Sequence, residues 1–233
     1  MARKNISRNE IIEKIVDMWQ PLNAEQRRLL EKNLTLKQYK KNEYIYKEGE
    51  KPSILSCLLK GKVKVSIEGV GGRNQIIRVY KPVEYFGYHA YFSGTNLITS
   101  SVALEPTVIC HIPLDIIRKL ISENNELAVF FIKQLSINLC MADARTVSLT
   151  QKRIPARLAE SILLLKESYG VEADGATLSI YLSREDMASL SNMTTSNAIR
   201  TLSAFANERV LAIDGRKIKI IDEEKLKKIS QEG

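Results

Sequence analysis

Histidine is scarce in this chain: two residues in 233, His89 and His111, with no HxH pair. A metal-dependent oxygenase built on a β-roll gathers two or three histidines and a carboxylate around one ion, and this chain cannot supply that set. GxSxG, HExxH and the phosphate-cradling GxxxxGK[ST] are missing as well, which removes the usual hydrolase, metalloprotease and P-loop chemistries. Catalysis is not expected. The three cysteines, Cys57, Cys110 and Cys140, are odd in number, far apart and without a CxxC pair. They read as free buried thiols of a reducing cytosol. There is no uninterrupted run of 18 apolar residues, so no membrane span is expected. The start, MARKNISRNEIIEKIV, has neither an apolar core nor a small-residue cleavage site, so export is not expected and a cytoplasmic protein is.

What is present is ordinary for a globular chain: 44% hydrophobic and 27% charged residues, enough for one large or two modest domains. The net charge of +8 invites a nucleic-acid partner, but its placement weakens that reading. Residues 151–233 carry 13 Lys and Arg against 12 Asp and Glu, whereas residues 1–150 carry 22 against 15. The excess, densest at Lys37, Lys40, Lys41, Lys47, Lys51, Lys60, Lys62 and Lys64, reads as the solvated face of a sheet domain. It aids encounter with DNA without identifying a function.

The informative stretch is LSREDMASLSNMTTSNAIRTLSAFA at 182–206. Ser183 is placed to cap a helix with Asp186 at its third position, and Met187, Ala188 and Leu190 form the apolar face. Asn192 stands where the chain must bend, and asparagine tolerates the left-handed conformation. Thr194 then caps a second helix, with Ala198, Ile199, Leu202 and Phe205 expected to face inward. Thr195, Ser196, Asn197 and Arg200 are left on the outer, N-terminal face, the end of a recognition helix that meets base edges. An ordinary helical hairpin with a polar outer face would read the same. RVLAIDGRKIKII at 209–221 narrows the choice, because two β-rich runs around Asp214-Gly215 signal a hairpin. A helix-turn-helix followed by such a wing places Arg216 and Lys217 at phosphate.

Elsewhere, Ile11, Ile12, Ile15, Val16 and Trp19 predict one helix over 9–19 ending at Pro21, and a second helix opens at Asn23 or Ala24 and runs through Leu30. From Tyr39 to Ile112, short alternating runs such as YIYKEG, SCLLKGKVKVSIEG and TVICHIP predict a sandwich or barrel, with GVGGR at 69–73 as a hairpin tip. Residues 124–150 predict a long helix on which Ala128, Ile132, Leu135, Leu139, Ala142, Thr146 and Leu149 are spaced alternately four and three. That average of 3.5 is the seam of a coiled-coil homodimer, although a single buried helix can show it over four turns. Leu127, Phe130, Phe131 and Met141 form a second set for the β-domain, and Asn138, beside the seam, is a candidate to fix register. Residues 151–155, QKRIP, mark a hinge, after which a helix runs to Tyr169 with Gly170 as its cap.

LSREDMASL…MTTSNAIRTLSAF…LAIDGRKI resembles the C-terminal domain of the Crp/Fnr family of bacterial transcription regulators, and the rest of the chain is compatible with that family along nearly its whole length. The resemblance implies an α+β protein. Residues 1–122 would be N-terminal helices and a β-roll (jelly-roll, cyclic-nucleotide-binding-like) sensory domain, 123–150 the dimerisation helix, and 151–233 the winged helix-turn-helix. It implies homodimers on palindromic double-stranded DNA, with RNA polymerase as partner. Arg200 matches the family's guanine-reading arginine and Thr194 its cap, while Ser183 and Arg184 match positions near phosphates. Ser196 stands where many members carry a glutamate. Glu48-Gly49 and Gly61 match turn glycines of the β-roll.

In the cyclic-AMP-binding branch, a glutamate after Phe-Gly and a later arginine hold the ligand. Here Phe86-Gly87 is followed by Tyr88, and the stretch Thr99-Ser100-Ser101 brings no arginine. Cyclic AMP bound in the usual way is therefore not expected. The oxygen-sensing branch holds an iron–sulfur cluster on N-terminal cysteines, and none precedes Cys57, so that cluster is not expected either. A haem-responsive reading remains, with His89 as ligand in a pocket of Tyr85, Phe86, Gly87, Tyr88, Tyr91, Phe92, Thr99 and Ser100. So do a thiol-redox sensor, a small apolar ligand, no effector at all, and a regulatory subunit that binds nucleotide without DNA.

Overall fold

The computed structural model describes residues 8–232; the first residues of the start read above as lacking an export signal lie outside them. Helices α1 (Arg8–Lys14), α2 (Val16–Trp19) and α3 (Ala24–Asn33) come first. Strands β1 (Thr35–Tyr39), β2 (Tyr44–Tyr46), β3 (Ile54–Lys60), β4 (Val63–Glu68), β5 (Asn74–Tyr80) and β6 (Tyr85–Phe86) follow. Next are α4 (His89–Ser93), β7 (Ser100–Ala103), β8 (Thr107–Pro113), α5 (Leu114–Glu123) and α6 (Asn125–Gln151). The chain then continues through α7 (Ile154–Tyr169), α8 (Arg184–Leu190), α9 (Thr195–Asn207), β9 (Leu211–Asp214), β10 (Lys217–Ile220) and α10 (Glu223–Gln231). It divides into two compact units, residues 1–68 with 77–139 and residues 69–76 with 140–233.

The first unit is a β-roll of two four-stranded sheets, ordered β1-β8-β3-β6 and β2-β7-β4-β5. Side chains on a strand alternate faces, and β3 is buried on both. Leu55, Cys57 and Leu59 join Cys110 and Ile112 against Ile11, Ile15, Met18, Leu30, Ile117 and Leu120 of the helices. Leu58 and Ile109 point the other way, into the core formed with Val63, Val65, Tyr80 and Ala103 of the second sheet. The single helix expected over 9–19 is broken at Ile15 (φ −94°, ψ 24°). Met18 donates to the Ile15 carbonyl at 3.0 Å, a tightened turn that seats Met18 in the core and leaves Val16 outside. Helix α3 runs to Asn33, past the expected end at Leu30, under a capping box of Asn23 and Gln26. Gly61 is required where it stands. Its φ is +94°, and a Cβ would lie 2.5 Å from Thr107 Oγ1.

Sheet register places Cys57 directly opposite Cys110, a neighbourhood that spacing along the chain does not reveal. Both are fully buried, and burial pushes the Cys110 thiol up to about 12 and the Cys57 thiol higher still. Such thiols are unreactive packing groups. Cys140, expected to be buried, is exposed on α6. His111 is structural too. Burial, and secondarily Lys37, lowers its pKa to about 4, and burial pushes Tyr39 up to about 12. Neutral His111 thus carries one ring proton between two partners, the Tyr39 hydroxyl at Nε2 (2.7 Å) and Ser56 Oγ at Nδ1 (3.1 Å).

On α6, Leu127 and Phe131 are buried in the first unit with Phe130 packed beside them. Asn138 follows them at helical spacing and faces the same β-roll, where its amide meets Arg78, His89 and Tyr88. The register role expected of Asn138 is thereby corrected. Met141, assigned to the β-roll set, is 41% exposed instead. The seam residues Ile132, Leu135 and Leu139 are 61%, 37% and 63% exposed, Ala142 and Thr146 are also open, and Ala128 and Leu149 are half-buried. Helix α6 alone among the described residues is long and apolar enough to cross a bilayer by length and composition, although no unbroken apolar run marked it in the sequence.

In the second unit, GVGGR forms the expected tip, closed by Gly69 N–H to the Arg73 carbonyl at 2.9 Å. Ser189 Oγ accepts from Ile76 N–H and donates to the Asn74 carbonyl, each at 2.7 Å. Arg145 reaches the Ile76 and Leu190 carbonyls at 2.6 and 2.8 Å.

Because His111 binds its proton more weakly when folded, the stability it contributes is complete above pH ~6.5 and is lost as pH falls toward 4. The expected loss is on the order of 3 kcal/mol. Urea midpoints measured across that range should fall more steeply for the native chain than for His111→Asn.

Candidate nucleic-acid interface

Helix α7 is the platform. Pro155 sits in its first turn, Leu158, Ala159, Ile162 and Leu165 are buried, and Gly170 (φ +71°) ends it. The link to α8 is pinned by Asp174, whose carboxylate accepts from Ala176 N–H (3.1 Å), Thr177 N–H (2.9 Å) and Thr177 Oγ1 (2.8 Å). Those bonds, the two to Thr177 above all, hold its carboxyl well below the usual range.

Ser183 Oγ accepts from Asp186 N–H at 3.0 Å, and its hydroxyl donates back to the Asp186 carboxylate at 2.8 Å. Helix α8 buries Met187, Ala188 and Leu190 as expected, and Asn192 makes the bend with φ +51°. Ser191, in that bend, donates to Ser161 of α7 across a buried 2.9 Å contact. Thr194 Oγ1 accepts from Asn197 N–H at 3.2 Å and starts α9. The inner row of α9 is Ala198, Thr201, Leu202 and Phe205. Ile199, expected to face inward, is 47% exposed. The reason is angular: Ala198, Thr201, Leu202 and Phe205 cluster on one side of the helix, and Ile199, about 100° on from Ala198, lies away from that side.

The wing turns one residue later than the dipeptide signal suggested. Asp214 ends β9 and pairs with Lys217, so the loop is Gly215-Arg216, with Gly215 at φ +54°. Arg216 is exposed there. Lys217 is the first residue of β10 rather than part of the tip, 3.8 Å from Glu172 and 5.7 Å above the Tyr181 ring. Arg184 Nη2 donates to the Gly215 carbonyl at 2.7 Å, which ties the start of α8 to the wing.

Thr195, Ser196, Ile199 and Arg200 thus form one exposed face at the N-terminal half of α9, with Asn197 at its edge. Arg200 Nη2 donates to Asn197 Oδ1 at 2.5 Å, which holds the guanidinium on that face. Ser183 and Thr194 act first as caps. Ile199 is the member that sequence reasoning missed, and counting from the buried Ala198 would have found it.

The aromatic pocket is not assembled. Phe86 lies in the core between the sheets, whereas Tyr85 and Tyr88 lie in the core beneath the helices. Tyr91 donates to Asp115 (2.8 Å), and Phe92 is 41% exposed. Thr99 meets the Tyr46 hydroxyl (3.3 Å), and Ser100 Oγ accepts from Glu48 N–H (3.0 Å). Tyr88 is fully buried, its ring 4.5 Å from that of His89 and 5.5 Å from that of Phe131. Burial pushes its hydroxyl up to about 12. His89 Nε2 lies 3.1 Å from Asn138 Nδ2, and burial, then Arg78, lowers its pKa. With Tyr88 packed against His89 and Asn138 at its Nε2, these residues do not fit a haem. Gly87 (φ +85°) fits closely, since a Cβ would lie 3.1 Å from the Ile54 carbonyl.

Comparison with known proteins agrees with this geometry. Residues 36–124 match the cyclic nucleotide-binding domain family, and residues 156–229 match the Crp-like helix-turn-helix domain. A CRP-like cAMP-activated global transcriptional regulator of Mycobacterium tuberculosis is 23% identical over 198 residues, 84% of this chain and 88% of that protein. A global nitrogen regulator of Nostoc is 24% identical over 185 residues, covering 78% of this chain and 83% of its own length. The structure of FixK2 from Bradyrhizobium japonicum superposes with a TM-score of 0.77 at 21% identity, over 86% of this chain and 98% of that one, a likeness of fold.

The two caps should be measurable. Ser183→Ala and Thr194→Ala are each expected to lower stability by about 1 kcal/mol in denaturant titrations followed by circular dichroism.

Proposed function

Because the chain belongs to the Crp/Fnr family of transcription regulators, we propose that it acts as a homodimer placing two copies of α9 in successive major grooves of a palindromic double-stranded DNA site. The observation that carries this reading is the exposed face of Thr195, Ser196 and Arg200, with Arg200 held there by Asn197. An arginine fork matches guanine O6 and N7, and serine bonds to several base edges. Asn197 adds an amide at the edge of the face, and Thr195 a hydroxyl and a methyl. Arg216 at the wing supplies a phosphate contact that positions the domain without reading sequence. Lys217 and Arg184 serve the same contact from beside the wing turn, Lys217 as a charge and Arg184 by fixing where the turn sits.

The exposed apolar seam of α6 supports dimerisation, because solvent-facing Ile132, Leu135 and Leu139 at 3.5-residue spacing lower their free energy by pairing with a second copy. Two reading helices bind together only if held about 34 Å apart, so any change along α6 that shifts one of them alters affinity. The protein works in the cytoplasm without catalysis, recruiting or blocking RNA polymerase at promoters. The β-roll does not take cyclic AMP in the usual way, because a buried Tyr88 stands where a ribose-binding carboxylate would be needed. Haem and an iron–sulfur cluster are not part of this proposal. A subunit that binds nucleotide without DNA is disfavoured by the match of residues 156–229.

Selection of bound duplexes from a random pool should return a palindrome whose half-sites lie about one helical turn apart. Arg200→Ala should weaken the selected duplex about 5- to 150-fold in gel-shift titrations and relax the preference at one base pair. If Arg200→Ala binds with unchanged selectivity, the groove-reading assignment is wrong. Isothermal titration with cyclic AMP should detect no micromolar binding, and a micromolar isotherm would overturn the account of Tyr88.

A further inference from the structure

The outer face of α9 contains one group that neither a hydrogen-bonding code nor a salt contact explains. Ile199 is 47% exposed, one helical turn after Thr195 and Ser196 and directly before Arg200. Side chains on a helix lean toward its N-terminus, so the isoleucine covers the same part of the groove that Thr195 and Ser196 approach. It is the only large apolar side chain of α9 that faces outward; Ala198, Leu202 and Phe205 are buried.

We propose that Ile199 reads the 5-methyl group of a thymine in each half-site, beside the base that Arg200 contacts. The argument rests on the DNA-reading assignment and adds a specificity to it. Isoleucine neither donates nor accepts. In the major groove, guanine presents N7 and O6, cytosine an amino group, adenine N7 and an amino group, and only thymine presents an apolar methyl. Packed against any other edge, Ile199 would strip water from a donor or acceptor without replacing the bond. Against thymine, it buries a methyl and leaves the neighbouring O4 to the hydroxyl of Ser196 or Thr195. Since a serine bonds to several bases, Ser196 cannot impose one by itself. Ile199 does so by exclusion.

The test uses the full-length chain and the duplexes recovered from the random pool. Each thymine is replaced in turn by deoxyuridine, which pairs identically but lacks the methyl, and affinity is read by fluorescence anisotropy at one fixed salt concentration. Wild type is expected to lose about fourfold for uracil at one thymine in each half-site, the worth of one buried methyl. Ile199→Ala should bind thymine and uracil duplexes equally, whereas Ile199→Val should keep part of the difference. Unchanged binding to random-sequence DNA checks that the variants remain folded. Uracil tolerated everywhere by wild type, or a uracil effect that persists in Ile199→Ala, overturns the proposal while leaving the DNA-reading assignment intact. A pool that yields no preferred sequence overturns both.

Discussion

Everything the chain can do with DNA depends on how far α9 is rotated about its own axis, and that rotation is set by burial. Ala198, Thr201, Leu202 and Phe205 form one continuous inner row, and the helix packs on α7 and α8. Turning the helix by one residue would pull that row from the core and lose several kcal/mol of apolar burial. The outer face therefore has no freedom of its own: Thr195, Ser196, Ile199 and Arg200, off that row, point to solvent. The cap of Thr194 and the left-handed Asn192 fix where along the chain the helix starts. Ser191 bonded to Ser161 fixes the bend against α7.

The β-roll follows the same logic with a different result. Because β3 and β8 are buried on both faces, alternate residues of one strand belong to two separate cores. Phe86 therefore lies in one core and Tyr85 and Tyr88 in the other, with Phe92 partly at the surface, although all are close in sequence. Tyr88, Asn138 and Arg78 join the roll to α6 through polar contacts. A phenol too buried to ionise and a neutral His89 make this a structural joint.

Much of the second half was legible in its residues. Ser183, Asn192 and Thr194 are types chosen by backbone geometry, which acts over three or four positions, so the caps and bend could be placed from local sequence. The wing was off by one residue, because Asp214 pairs in the strand and only Gly215 needs positive φ. The break at Ile15 was hidden, since Ile11 and Ile15 keep helical spacing across it and only Met18's place in the core decides the turn. Asn138 was misassigned because it lies close to the 3.5-residue seam and on the 3.6-residue face at once. Ile199 was misassigned because an apolar residue next to an inward position resembles core until the helix angle is counted.

The amino-acid order by itself determined the succession of elements, the capped pair of helices with its wing, the heptad spacing of α6 and the missing cation of the cyclic-nucleotide cassette. These rest on interactions between near neighbours in the chain, or on a residue type being present or missing. Only the tertiary structure decided that Cys57 faces Cys110, that His111 lies between Tyr39 and Ser56, that the aromatic cluster is split, and that Ile199 looks outward. Those outcomes come from strand register and from which face of each element is buried, and both are set by contacts between residues far apart in sequence.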